Sequence, residues 1–252
     1  MAQNSENKKC VHCLRVPGEI TFDHVIPKSW YSKITSRDAR KPKAPACFEC
    51  NQKLGRQEKF VSHLMWMCMP ENHPLRSELT EKVYRACGMG RDGKPIPGLS
   101  DKEREERMKY AKRLLSSTRP AGDLDEHDLF PGFGFHLGYP REIQRATLIP
   151  ENLVTEVASK VVRGIEYIQK GSQRYIEAPY QLHVFFPKNP NDLSLQEVRS
   201  KCKIFSDGTN TIQRGADPEK PLEPIYIIRL WNQWEICGVV MHEERYRLLL
   251  NP

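Results

Sequence analysis

Thr21-Phe-Asp-His-Val-Ile-Pro27 stands between two cysteine pairs, Cys10-Val-His-Cys13 and Cys47-Phe-Glu-Cys50, and Asn51 follows the second pair directly. An Asp-His pair on a short strand sends its two side chains to opposite faces, so one can meet a metal while the other meets a substrate. Each C-x-x-C turn aims two thiolates at one tetrahedral centre. Two such pairs at this separation point to structural zinc held by Cys10, Cys13, Cys47 and Cys50, with no position open to water. A unit of about 50 residues buries too little apolar surface to hold itself together reliably. Structural zinc supplies on the order of 10–16 kcal/mol in peptide fingers, so the metal decides whether this unit folds. His12 reads as a solvated or supporting residue beside the site.

Hydrolysis of a phosphodiester needs a hard cation on the phosphate, a base for water, and groups that hold both. Oxygen ligands from Asp23 and Asn51 suit magnesium or manganese. His24 has the intrinsic pKa to take a proton from water near neutrality.

Charge points the same way. Of the net +7 of the 252-residue chain, +6 lies in residues 1–60, where twelve Lys and Arg face six Asp and Glu. A basic patch on a small module suits phosphate backbones. Lys28, Arg37, Arg40, Lys41, Lys43 and Lys53 are the candidate phosphate contacts.

At these residues the chain resembles the zinc-containing HNH endonucleases, whose pattern is C-x-x-C, Asp-His-x-x-Pro, then C-x-x-C-Asn and a small basic turn. Here the pattern is Cys10/Cys13, Asp23-His24-Val-Ile-Pro27 and Cys47/Cys50-Asn51-Gln-Lys-Leu-Gly55, about a fifth of the chain. The resemblance implies a ββα-metal fold in which a hairpin carries Asp23 and His24 and the next helix carries Asn51. It also implies one catalytic divalent metal, His24 as general base, DNA as substrate, and a bacterial or phage setting that includes defence against foreign DNA. Two departures stand out. The family's middle asparagine, which pins the loop carrying the base, has no counterpart between His24 and Cys47; Lys41-Pro-Lys-Ala-Pro45 occupies the region. Asp38, Ser36 or the stiff prolines are the candidate replacements. The family's lysine three residues after the asparagine is Leu54, with Lys53 one place early.

The whole reads as an α+β protein: an HNH module over 8–60, a helical connector over 61–116, a linker over 117–142, and a mixed α+β domain over 143–252. Helices are expected over 58–69, 77–87 and 101–115 from their apolar spacing. A further helix opens at Pro150 and stops before Gly171, with Val154, Val157, Ala158, Val161, Val162, Ile165 and Ile168 as a core-facing stripe. Strands are expected at 181–186, 203–206, 211–214, 225–231 and 234–241. Trp231 and Trp234 flank Asn232-Gln233 as hairpin packing residues, and Asp123-Leu-Asp-Glu-His-Asp128 reads as a solvated acidic loop. Pro131-Gly-Phe-Gly-Phe-His136 lacks phosphate-loop spacing. The lone Cys68, Cys87, Cys202 and Cys237 read as small buried hydrophobes.

No run nears the roughly 18 apolar residues of a membrane span, and the N-terminus lacks a signal-peptide core. A cytoplasmic location is expected, where thiols serve as metal ligands rather than disulfides. The alternative function is a zinc-knuckle nucleic-acid-binding or regulatory protein whose hydrolytic site has decayed. In a third reading the C-terminal domain senses a signal or binds a protein partner.

Overall fold

The computed structural model describes residues 8–32, 35, 41–125, 140–169, 174–187, 193–200 and 203–250. Strand β1 (Ile20–His24) pairs antiparallel with β2 (Lys43–Cys47), His24 opposite Lys43 and Ile20 opposite Cys47. Helix α1 (Phe48–Met67) starts at once after β2. It begins ten residues before the expected helix because its first turns, Asn51 to Glu58, are polar in sequence and show no apolar period. Leu54 and Glu58 are nonetheless buried there.

The chain divides into two compact units, Met1–Glu58 with Asn152–Pro252, and Lys59–Glu151. The second holds the end of α1, then α2 (Arg76–Ala86) and α3 (Asp101–Ser116). Ser100 and Glu103 close a reciprocal capping box at the start of α3, satisfying N–H groups that an exposed helix end leaves open. The stretch expected as linker is partly structured: β3 (Thr118–Pro120) pairs antiparallel with β4 (Arg145–Thr147). Three-residue strands have too little alternation to read from sequence. The sequence boundaries at 60, 116 and 142 cut the chain into consecutive blocks. The first compact unit instead joins the two ends of the chain.

That joining is done by α4 (Glu151–Ile168), buried on nearly every side. Of the expected stripe, Ile168 alone is exposed. After it come β5 (Tyr180–Phe185), α5 (Leu193–Ser200), β6 (Lys203–Ser206), β7 (Thr211–Gly215), β8 (Ile225–Leu230), β9 (Trp234–His242) and α6 (Glu243–Leu250). The five strands form one sheet in the order β5-β9-β8-β7-β6, antiparallel throughout. Positive φ at Trp231 and Asn232 (51° and 58°) makes the tight β8–β9 turn. Both Trp231 and Trp234 are buried. Leu195 and Val198 of α5 pack on Ile227 and Cys237. Cys237 is thus a core residue as expected, whereas Cys68 and Cys87 are only partly buried.

Two glycines let α4 approach both of its neighbours closely. A Cβ on Gly164 would lie 2.7 Å from Val25 Cγ2, just past β1, and one on Gly238 of β9 would lie 2.9 Å from Val162 Cγ2. Gly164 and Val162 face opposite sides of the helix, so α4 is wedged between hairpin and sheet. Trp30, beyond Pro27, is tied to the sheet as well: Trp231 Nε1 donates to its carbonyl at 3.0 Å and the two indoles lie 5.6 Å apart. Among the described residues no helix is long and apolar enough to cross a membrane.

Candidate metal centre and Asp23–His24 site

Cys10, Cys13, Cys47 and Cys50 converge until all four sulfurs lie within 4.8 Å of one another, a group that could hold a metal ion. Local backbone builds each half. Cys10 and Cys13 sit on a turn closed by Leu14 N–H to Cys10 O at 2.9 Å, and Val11 N–H reaches Pro45 O on β2. Cys47 ends β2 and Cys50 lies in the first turn of α1, where its N–H donates to Cys47 Sγ at 3.4 Å. Ionisation is uneven within the group. Burial raises Cys13, but hydrogen bonds from Arg15 and from its neighbour thiols outweigh it and bring the thiol down to about 6. Burial and the Cys47 contact push Cys50 far up. Four adjacent thiols cannot all become thiolates unless a cation offsets their mutual repulsion.

Asp23 lies on the β1 face that turns inward. Its carboxylate meets Lys160 Nζ of α4 at 3.0 Å through both oxygens, and His12 Nε2 is 3.6 Å from Oδ2. Lys160 also donates to Glu58 of α1. The lysine side chain is 1% exposed, against 11% for Asp23 and 10% for Glu58, so this is a buried ammonium shared by two carboxylates. Burial raises Asp23, but His12 and Lys160 together hold it below the usual carboxylate range. For Glu58 burial wins and the carboxyl is pushed up. His12 is driven below its ordinary value, chiefly by burial, and is neutral near pH 7. It is therefore an enclosed neighbour of Asp23 rather than a solvated residue, and Arg163 Nη1 donates to its carbonyl at 2.8 Å. Asp23 Oδ2 and His12 Nε2 are both buried and face each other.

Asn51 comes to the same face of β1 as Asp23: its Nδ2 donates to Thr21 Oγ1 at 3.0 Å, and Thr21 passes the bond on to Ala46 O. Its Oδ1 plays no part in that bond. His24 occupies the opposite face, half-buried, with Nδ1 enclosed and unpartnered. Burial first, then the ammonium groups of Lys43 and Lys28, lower its pKa against the pull of Asp23. The imidazole is neutral near pH 7 and can accept a proton.

Of the candidate phosphate contacts, Lys28, Lys41 and Lys43 are exposed, Lys41 lying 5.2 Å from the Tyr31 ring. Lys53 is paired with Glu156 of α4 at 2.9 Å, so its charge is already met. Arg37, Arg40, Asp38 and Ser36 lie outside the described residues, as do Cys202, Gly171, the 131–136 run and the end of the acidic loop. The residues that sequence reasoning missed are Glu58, Lys160 and Arg163. No local signal marked Lys160: by helical period it falls off the stripe of Val154, Val157, Ala158, Val161 and Val162, on a flank where a lysine reads as solvated.

Compared with known proteins, the chain matches no family model and no solved structure. It is similar to Septu protein PtuB of Bacillus thuringiensis, 20% identical over 229 residues that span 87% of this chain and 80% of that protein. The likeness thus extends well beyond the cysteine-bearing segment.

Proposed function

We propose that the protein is a metal-dependent endonuclease that hydrolyses DNA phosphodiester bonds, with His24 as general base. The observation that carries the reading is a neutral, half-buried His24 beside Lys43 and Lys28, on a strand whose other face carries Asp23 and is met by Asn51 of α1. A base for water must be unprotonated at working pH, and a phosphate is drawn to ammonium groups. Both conditions hold at one hairpin.

Zinc suits the thiol cluster. A tetrahedral centre with metal–sulfur bonds of ~2.3 Å separates sulfurs by roughly 3.8 Å, and Cys13 and Cys47 stand 3.9 Å apart. The role is structural, locking β2 to α1 and to the first turn. For the catalytic metal, the buried Asp23 Oδ2 and the Asn51 Oδ1 are hard oxygen donors that fit magnesium or manganese. When bound, such an ion would draw charge from the scissile phosphate. His24 takes a proton from water as the water oxygen bonds to phosphorus; the P–O bond to the leaving sugar oxygen breaks and that oxygen is reprotonated. Defence against foreign DNA is the setting that goes with this reading.

Purified protein with magnesium or manganese should cut plasmid DNA, and His24→Ala should lower the rate by at least about a hundredfold with the fold intact by circular dichroism. Plasmid left uncut with either metal would sink the enzymatic reading. The Lys160 contact favours a second reading: Asp23 is already neutralised, as in a nucleic-acid-binding protein with an inert site. That protein would bind DNA in a salt-sensitive way, indifferent to Asp23→Ala.

A further inference from the structure

We propose that Lys160 is the resident cation of the Asp23 site and keeps its affinity for a divalent ion low until a phosphate arrives. The proposal rests on the reading of Asp23 as a metal ligand. Its basis is the buried cluster itself. One ammonium sits between the carboxylates of Asp23 and Glu58, with His12 Nε2 3.6 Å from Asp23 Oδ2. With one lysine set against two acidic side chains, the cluster has a formal excess of one negative charge. A divalent ion entering beside Asp23 turns that into one positive charge in excess, and burial magnifies the penalty of either imbalance. The single negative charge of a phosphodiester then cancels it. Metal and nucleic acid are therefore bound together, and the protein alone holds the metal loosely.

A carboxylate has about four lone-pair positions, so Lys160 occupies only part of Asp23. Oδ2 lies 3.0 Å from the ammonium and 3.6 Å from His12 Nε2, contacts that leave it a lone-pair position for a further partner. Lys160 is a positioning residue in this scheme: it acts on the metal through Asp23. Its place is set from elsewhere in the fold, because Gly164, one turn along α4, seats the helix against Val25. Glu58 holds the ammonium from the other side and contributes the second negative charge.

The test is calorimetric titration of zinc-replete protein with Mn2+, in a His24→Ala background so that a 15-base-pair duplex stays intact. In the parent, the duplex should tighten Mn2+ binding at least about tenfold through charge compensation. Lys160→Met should tighten Mn2+ about tenfold or more without duplex, and the further gain from duplex should shrink to within about threefold. Glu58→Gln, which keeps the Lys160–Asp23 pair, should loosen Mn2+ about tenfold. Lys160→Arg retains the charge and should stay within about threefold of the parent. If Lys160→Met is too unstable to titrate, its melting temperature should rise with Mn2+ far more than the parent's does.

Unchanged Mn2+ affinity in Glu58→Gln, or in Lys160→Met, overturns the proposal. The two readings also fail separately. Plasmid cleavage by the unmodified chain together with Lys160 variants of parental metal affinity defeats this proposal alone. Uncut plasmid together with tighter Mn2+ in Lys160→Met defeats the nuclease reading and leaves the charge relation standing.

Discussion

Gly164→Ala sets two effects of known sign against each other. Alanine in the interior of α4 gains about 1 kcal/mol of helix propensity over glycine. Its Cβ, however, would stand 2.7 Å from Val25 Cγ2, 3.1 Å from Cγ1 and 3.3 Å from Cβ. Val25 is 1% exposed and β-branched, so it has no free rotamer into which to retreat. Overpacking of this kind costs roughly 1–3 kcal/mol, because the helix or the strand must shift. The clash should win by about 1 kcal/mol, lowering the melting temperature by roughly 2–4 °C for a chain of this size. The decisive assay is a double-mutant cycle by urea denaturation. Val25→Ala removes the two methyl groups in the way, so in that background Gly164→Ala should be neutral or stabilising, with a coupling of at least about 1 kcal/mol. Because Val25 follows His24 directly, cleavage by Gly164→Ala should fall more than the loss of folded protein explains. A more stable single variant, or additivity within about 0.5 kcal/mol, would refute the close approach of α4 to the hairpin.

Three further outcomes are expected. His63 is held at about 4, chiefly by burial and then by Lys59 and Lys82, and its Nδ1 meets Tyr110 Oη at 2.8 Å. The unfolded chain takes up that proton near pH 6.5 and the folded chain does not. Stability of the Lys59–Glu151 unit is therefore full above pH 6.5 and falls as pH drops towards 4, by up to about 3 kcal/mol; His63→Gln should flatten this slope in denaturant titrations. Cys47→Ser should drop bound zinc well below one ion per chain by elemental analysis and lower the urea midpoint, since structural zinc sites contribute folding energy outright. Equal zinc content in variant and parent would disprove the four-thiol site. Ser100→Ala removes the side-chain half of the capping box and should cost about 1 kcal/mol, while leaving DNA binding unchanged in a mobility-shift assay.

Much of the architecture is legible in the residues because it is written in short-range chemistry. The cysteine pairs announce their turns, the Asp-His segment its strand, and the stripe from Val154 to Ile165 its helix. The strands of the five-stranded sheet follow the β-branched runs and the turns at Gly208 and Asn232. Alternation along β1 likewise separates Asp23 from His24 without knowledge of any neighbour. What surrounds those side chains has no such period. Lys160 meets Asp23 across 137 positions of sequence and Glu58 across 102, and Gly164 accommodates Val25 from the same helix. Residue type and spacing thus determined which groups could bind metal or accept a proton. Tertiary structure alone decided that Asp23 is enclosed with a lysine, that Lys53 is already paired, and that the two ends of the chain make one unit. Burial and pairing depend on which distant surfaces meet, and local periodicity carries no information about that.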